Sequence, residues 1–311
     1  MGRLPPPDKL TELLADVAVM VRPQKGKGRV ADYIPALSQV SPDRFGMTVI
    51  TVGGEESSTG DANIPFSLQS ITKVPALILA LNTNGDEIWE RVGKEPSGTP
   101  FNYLAQLEAE HGIPRNPFVN AGALTVTDYL IDRLGNPAGA VRDFLKIVSQ
   151  TDDVWIDETV AESEFGHAYQ NKAIANILAL HGTINNDPDL VLKAYCRQCA
   201  IHMSVVALTR AFLPLASGGF SPILGESVVT TRIARRVNAL MMMCGMYDAV
   251  GSFAYRVGLP AKSGVGGGIV AIAPGVASIG VWAPELDRSG NSLLGTLALE
   301  QFVQATDLSL L

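Results

Sequence analysis

Cysteine is scarce in this chain of 311 residues: there are three, an odd number that argues against a disulfide scaffold. Reduced thiols fit a cytoplasmic protein, which is the expected compartment. Basic runs are missing as well. The net charge is −7, so nucleic acid and anionic membrane surfaces are not expected as partners. Glycine and proline break the longest apolar tracts, so no membrane span is expected. The opening Met1-Gly2-Arg3-Leu4-Pro5-Pro6-Pro7 has no apolar signal core, and Pro6 stands where a myristoylation motif needs Ser or Thr. No G-x-S-x-G elbow occurs, which disfavours an α/β-hydrolase, and no internal repeat is evident. Cys196-x-x-Cys199 with His202 spells a metal or redox motif, but the stretch reads helical and only Cys244 could add another thiolate. A structural zinc site needs four ligands, usually from two clusters. Both cysteines are read as small buried side chains, and no metal or organic cofactor is expected.

What is present is concentrated in Gln69-Ser70-Ile71-Thr72-Lys73-Val74-Pro75, which opens a long apolar run. A serine and a lysine three apart on a helix share one face. A serine hydroxyl is a poor nucleophile until a base takes its proton. A lysine in a partly dry pocket loses its charge more readily and can be that base. Pro75 is tolerated only near a helix start, which puts the start close to Ser70. The free amides and partial positive charge of a helix N-terminus suit an oxyanion there.

A second motif lies far downstream. Ala261-Lys262-Ser263-Gly264-Val265-Gly266-Gly267-Gly268 precedes Ile269–Ala273, which reads as a buried strand. Lys-Ser-Gly resembles the Lys-Thr-Gly element of penicillin-recognising serine enzymes. Glycines allow close approach to the strand edge, and the Val265 amide is a candidate second oxyanion donor beside that of Ser70. A plain connecting turn is the alternative use, made less credible by the Ser-x-x-Lys upstream.

The patterning predicts helices over residues 8–21, from Ser70 into the apolar run, and over 103–110, 121–134, 138–149, 169–180, 189–201, 204–215, 231–244 and 292–305. Strands are predicted over 45–52, 268–273 and 277–282, with turns at Gly53-Gly54 and Pro274-Gly275. The fold class is α/β in the α+β sense: an antiparallel sheet with flanking helices plus a helical lobe. One domain, 1–311, is expected, with a sheet lobe of about 1–66 and 225–311 and a helical lobe of about 67–224.

With these residues in hand, the chain resembles the serine-dependent glutaminases over nearly its whole length. The resemblance is carried by Gly28–Leu37, Gln69–Lys73, Val92–Gly98, Pro114–Ala123, Ser163-Glu164, Cys244–Tyr247 and Leu259–Gly268. It implies a fold like that of β-lactamases and D,D-peptidases, and hydrolysis of L-glutamine to L-glutamate and ammonia through a glutamyl ester. By the resemblance Ser70 is the nucleophile and Lys73 its partner. Tyr33, Asn120, Glu164, Asn171, Tyr195 and Tyr247 match substrate contacts, and Val265 matches a residue whose backbone amide meets the substrate. Lys262, from the Lys-Ser-Gly element, joins the substrate-binding set.

The chemistry agrees independently: Glu164 can pair with an α-ammonium, and Asn and Tyr donors can hold an α-carboxylate. Ordinary uses stay open at this point. Asn120 could cap a helix starting at Ala121, the tyrosines could be half-buried aromatics, and Glu164 could be a surface charge. Whether Lys73 or Tyr247 handles the proton also stays open, with Tyr247 placed near the leaving ammonia. Tyr169-Gln170-Asn171 matches the second motif of penicillin enzymes in spelling, but only Asn171 is carried over. The alternative function is a β-lactamase or D,D-peptidase, disfavoured by a missing Ser-Asp-Asn. A homodimer or homotetramer is implied by the resemblance. Met241-Met242-Met243 adds to it, because three successive helical side chains cannot all face one core.

Overall fold

The computed structural model describes residues 4–98 and 104–311. Among them are twelve α-helices: α1 (Pro7–Val21), α2 (Lys73–Asn84), α3 (Leu104–Ala109), α4 (Asn120–Leu134), α5 (Pro137–Ser149), α6 (Glu158–His167), α7 (Tyr169–Leu180), α8 (Pro188–Cys199), α9 (Val205–Ala216), α10 (Thr231–Cys244), α11 (Val250–Arg256) and α12 (Leu293–Thr306). The strands are β1 (Gly46–Thr51), β2 (Glu56–Gly60), β3 (Phe66–Ser67), β4 (Trp155–Ile156), β5 (Ile201–Met203), β6 (Phe220–Ser221), β7 (Glu226–Ser227), β8 (Ala261–Ser263), β9 (Gly268–Ala273) and β10 (Ala277–Trp282).

The main sheet runs β2-β1-β10-β9-β8, antiparallel throughout. Its side chains alternate in destination with period two, as a strand requires. Met47, Val49, Ile269, Ala271, Ile279 and Val281 pack on Leu10, Leu14 and Val17 of α1 and Leu299 and Phe302 of α12. Ile50, Val270, Ile272 and Trp282 face the other way, into a core shared with α2, α4, α5, α9 and α10. Because both faces are covered, β9 and β10 are buried at every residue and read as near-continuous apolar runs. At Gly280 a Cβ would stand 2.2 Å from Thr209 Oγ1, so α9 lies directly against the sheet there.

A second core, with Leu124, Ile174, Leu178, Val191, Leu192 and Tyr195, holds α4, α7 and α8 together away from the sheet. The small sheet β3-β5-β4 ties that helical part back to the chain before Ser70: Phe66 pairs with Met203, and the Leu68 amide donates to the Ile201 carbonyl at 2.8 Å.

Most predicted elements occupy the expected places, with differences that have local causes. The helix expected over 189–201 ends at Cys199, and Ile201 instead starts β5. Tyr103, the expected first residue of the helix over 103–110, lies outside the described residues. The sequence reading passed over β2, a polar edge strand (Glu-Ser-Ser-Thr-Gly), and α6, whose apolar residues form no single stripe. The helix at residue 121 begins one residue earlier and is not capped by Asn120. Its entry is held by Asn116 Oδ1, which accepts from the Phe118 and Val119 amides at 3.0 and 3.1 Å. No helix among the described residues is long and apolar enough to cross a membrane.

Candidate active site

Gln69–Thr72 form one tight 3₁₀ turn, and α2 continues from it at Lys73, so the expected helix start falls where Pro75 required it. Gln69 has φ +51°, a left-handed conformation that an ordinary side chain adopts only when its surroundings enforce it. Its carbonyl accepts from Thr72 Oγ1 at 2.8 Å, and its amide Nε2 donates to Ser67 Oγ at 3.0 Å. This constraint sits one residue before Ser70 and aims it into a cavity of about 330 Å³.

The cavity wall brings together seven of the ten residues expected from sequence: Tyr33, Ser70, Asn120, Glu164, Asn171, Tyr195 and Val265. They arrive from the loop after α1, the turn before α2, the start of α4, α6, α7, α8 and the turn after β8. The remaining three, Lys73, Tyr247 and Lys262, stand behind the wall and are buried. Gln69, Ile34, His167, Ala168 and Gln170 complete the lining and were not singled out from sequence. Gln69 was legible as the neighbour of Ser70. His167 follows Glu164 by three residues on α6, a spacing that puts both on one face once the helix is known.

Lys73 Nζ donates to Asn120 Oδ1 at 2.8 Å and to the Phe118 carbonyl at 3.0 Å. Burial is the main influence on it and brings its pKa down to about 8, with Cys199 and Glu164 opposing. Asn120 Nδ2 in turn donates to Asn171 Oδ1 at 2.8 Å, so the asparagine is a bridge and not a helix cap. Glu164 is also buried, and burial pushes its pKa up to about 8 against a hydrogen bond from Gln69 and the attraction of Lys73. Its Oε2 has no hydrogen-bond partner among the described residues although it is fully enclosed. Such an atom is costly unless a ligand satisfies it.

Tyr247 has φ +52°, its hydroxyl donates to the Ser263 carbonyl at 3.4 Å, and Ser70 is near enough to counter part of the burial effect on its phenol. Burial raises its phenol pKa. The Val265 amide donates to no acceptor among the described residues. The glycines around it set its position. A Cβ on Gly264 would stand 2.2 Å from the Leu68 carbonyl oxygen, and one on Gly266 would stand 2.0 Å from that of Ser67. Only a chain without side chains there can lie flat against the segment leading to Ser70. Trp282 Nε1 donates to the Gly266 carbonyl at 3.0 Å and fastens the turn to β10.

Lys262, expected among the substrate contacts, is fully buried and off the cavity wall, and its Nζ donates to the Gly245 and Ser263 carbonyls. The Cys-x-x-Cys reading agrees with the structure in one respect: Cys196 and Cys199 are buried on α8 as small core side chains. His202 stacks on Trp155 and donates from Nδ1 to the Ala200 carbonyl. Among the described residues no cluster of three or more His, Cys, Asp or Glu side chains could hold a metal ion.

An antiparallel sheet between helices, with a helical part closing a Ser-x-x-Lys turn against a Lys-Ser-Gly edge strand, is the β-lactamase-like fold and defines an enzyme of that class. Sequence comparison narrows the class. The family model "Glutaminase" matches residues 28–311. A glutaminase of Caulobacter vibrioides is 61% identical over 302 residues, covering 97% of this chain and 98% of its own. The solved structure of the probable glutaminase ybaS superposes with a TM-score of 0.91 at 33% identity, covering 97% of both chains. A probable glutaminase from Bacillus subtilis, complexed with 6-diazo-5-oxo-L-norleucine, gives 0.87 at 33% identity, again covering 97% of both. The chain belongs to the glutaminase family, the amidohydrolases that convert glutamine to glutamate and ammonia. The β-lactamase or D,D-peptidase alternative is not favoured, since the match over nearly the whole chain is to glutaminases.

Proposed function

We propose that this glutaminase hydrolyses L-glutamine through a glutamyl ester on Ser70. One observation carries the reading: Ser70 opens on a cavity whose wall includes a buried carboxylate oxygen without a partner among the described residues, on Glu164. A free amino acid brings the cation that this oxygen lacks. Tyr33, Asn171 and Tyr195 supply neutral donors for the α-carboxylate, and Asn120 orients Asn171. The side-chain amide then reaches Ser70.

Lys73 is the base. As a neutral amine it keeps two protons, and two acceptors, Phe118 O and Asn120 Oδ1, are already in place for them. Its lone pair is left for the Ser70 proton. Serine Oγ bonds to the amide carbon, and the oxygen takes up negative charge between the amides of Val265 and Ser70. The Tyr247 hydroxyl, close to Ser70, passes a proton to the departing nitrogen as the C–N bond breaks. Water adds to the ester by the reverse proton path, releasing glutamate and Ser70. The residues suffice for each step without a metal or organic cofactor.

Two further readings belong here. Three free, buried cysteines support a reducing, cytoplasmic setting. An exposed Met243 on α10, beside the half-buried Met242, supports assembly into a homodimer or homotetramer.

The diazoketone 6-diazo-5-oxo-L-norleucine, found with the Bacillus subtilis relative, provides the test. Mass spectrometry should find one adduct, on the peptide containing Ser70, and Ser70→Ala should release no ammonia from glutamine while remaining folded. An adduct elsewhere, or ammonia release near wild type in the variant, overturns the assignment.

A further inference from the structure

We infer that Lys262 is a positioning residue that acts through Tyr247, bolting the end of α10 to the edge strand β8 so that the tyrosine hydroxyl is held at Ser70. The inference rests on the proposed role of Tyr247.

Lys262 is fully buried, and among the described residues no carboxylate forms an ion pair with it. A buried ammonium without an opposite charge is a liability to the fold, so its presence calls for another use. Its contacts point to one. Nζ donates at 3.0 Å to the carbonyl of Gly245, the residue that ends α10, and at 2.6 Å to the carbonyl of Ser263. The same Gly245 carbonyl accepts the Ser263 amide at 3.3 Å. Among the described residues, one lysine thus spans the one pair through which the helix end and the strand exchange a backbone hydrogen bond. The helix terminus, where carbonyls lack intrahelical partners, welcomes a donor there.

The spacing leaves no slack. A Cβ on Gly245 would stand 1.7 Å from the Ala261 carbonyl oxygen, so the end of α10 lies flat against β8. Two residues beyond Gly245 comes Tyr247, whose left-handed φ of +52° must be enforced by its surroundings. Asn291 Nδ2 supports the intervening Met246 carbonyl at 3.3 Å. The Tyr247 ring centroid lies 4.5 Å from Lys262 Nζ, and its hydroxyl reaches the Ser263 carbonyl that Lys262 also binds. Lys262 therefore touches the ring, the strand carbonyl beneath the hydroxyl, and the helix end that carries the tyrosine. It contributes nothing to the cavity wall. Burial favours loss of its proton, and the bolt survives that loss because a neutral amine still carries two N–H donors for its two carbonyls.

The test is a double-mutant cycle on glutamine hydrolysis with Lys262→Met and Tyr247→Phe. Lys262→Met should lower kcat by about 10–100-fold, part of what a general acid typically supplies, and leave KM within about twofold. In the Tyr247→Phe background the same substitution should change kcat no further, because the group it positions is gone. Equal losses in both backgrounds, a raised KM, or an unchanged kcat in Lys262→Met would each overturn the inference. If Lys262→Met does not fold, Lys262→Gln is put through the same cycle under the same criteria. A Tyr247→Phe enzyme with wild-type kcat would instead strike the proposed role of Tyr247, and is distinguishable because it needs no change at Lys262.

Discussion

Lys73 and Glu164 are both buried and near enough to attract each other, and burial moves both toward about 8 from opposite directions. Burial penalises the charged form of each, and each shift has a sign that stability can read. Between the ordinary value of 4.5 and about 8, the folded protein holds a proton on Glu164 that the unfolded chain gives up, so this group's contribution to stability falls as pH rises through that window. For Lys73 the unfolded chain holds the extra proton between about 8 and 10.5, so its contribution rises with pH there. Glu164→Gln removes the first term. Without substrate, its melting temperature relative to wild type should climb from pH 5 to pH 8.5, read by differential scanning fluorimetry. Its KM for glutamine should rise far more than its kcat falls, because the α-ammonium is present in ground and transition states alike. A parallel pH trend in variant and wild type, or a kcat loss with KM unchanged, would show that Glu164 is not the buried partner of the substrate cation.

At the scale of elements, the site depends on how closely the turn after β8 approaches the segment before Ser70. Gly266 sits 2.0 Å from the Ser67 carbonyl oxygen when a Cβ is imagined on it, and no flexible side chain can yield there. Gly266→Ala must push the turn away and carry the Val265 amide with it. If that amide is an oxyanion donor, kcat should fall by about 10²–10³-fold. The core strands β9 and β10 do not depend on this contact, so circular dichroism should still show a folded protein. Activity within a few-fold of wild type would remove Val265 from the proposed oxyanion site. The elements that frame this contact differed in how plainly the sequence announced them. Helix α5 shows Asn136 as a cap, accepting from the Gly139 amide at 3.1 Å, and α10 shows Thr230 doing the same for Ile233 at 3.2 Å. Helix α6 has a cap too, Asp157, but no apolar stripe, so the element that delivers Glu164 was invisible as a helix.

Over the whole molecule, the sheet and the helices do not have separate interiors on the side of the site. Ile50, Ile272 and Trp282 from the sheet share one core with Leu77 of α2, Leu130 of α4, Leu145 of α5 and Phe212 of α9. A chain built this way should unfold as one unit despite the expected division into a sheet lobe and a helical lobe. Calorimetry should give a single transition whose calorimetric and van't Hoff enthalpies agree for the cooperative unit. Two resolved transitions would mean that the helical part, with its own core around α4, α7 and α8, melts independently.

The sequence by itself determined the chemistry on offer and the local frame around it. Ser70 and Lys73 are fixed by a spacing of three, their helix start by Pro75, and β9 and β10 by continuous apolar runs between glycine turns; these are short-range properties, set by backbone sterics and side-chain period. Tertiary structure alone decided where the distant groups went. Asn120 became the bridge from Lys73 to Asn171 because packing brought α2, α4 and α7 to one point. Lys262 lies buried under Tyr247 because α10 packs flat on β8. Whether a polar side chain caps a helix, meets a ligand or holds another residue in place depends on desolvation and on partners far away in the chain, and neither is a property of local sequence.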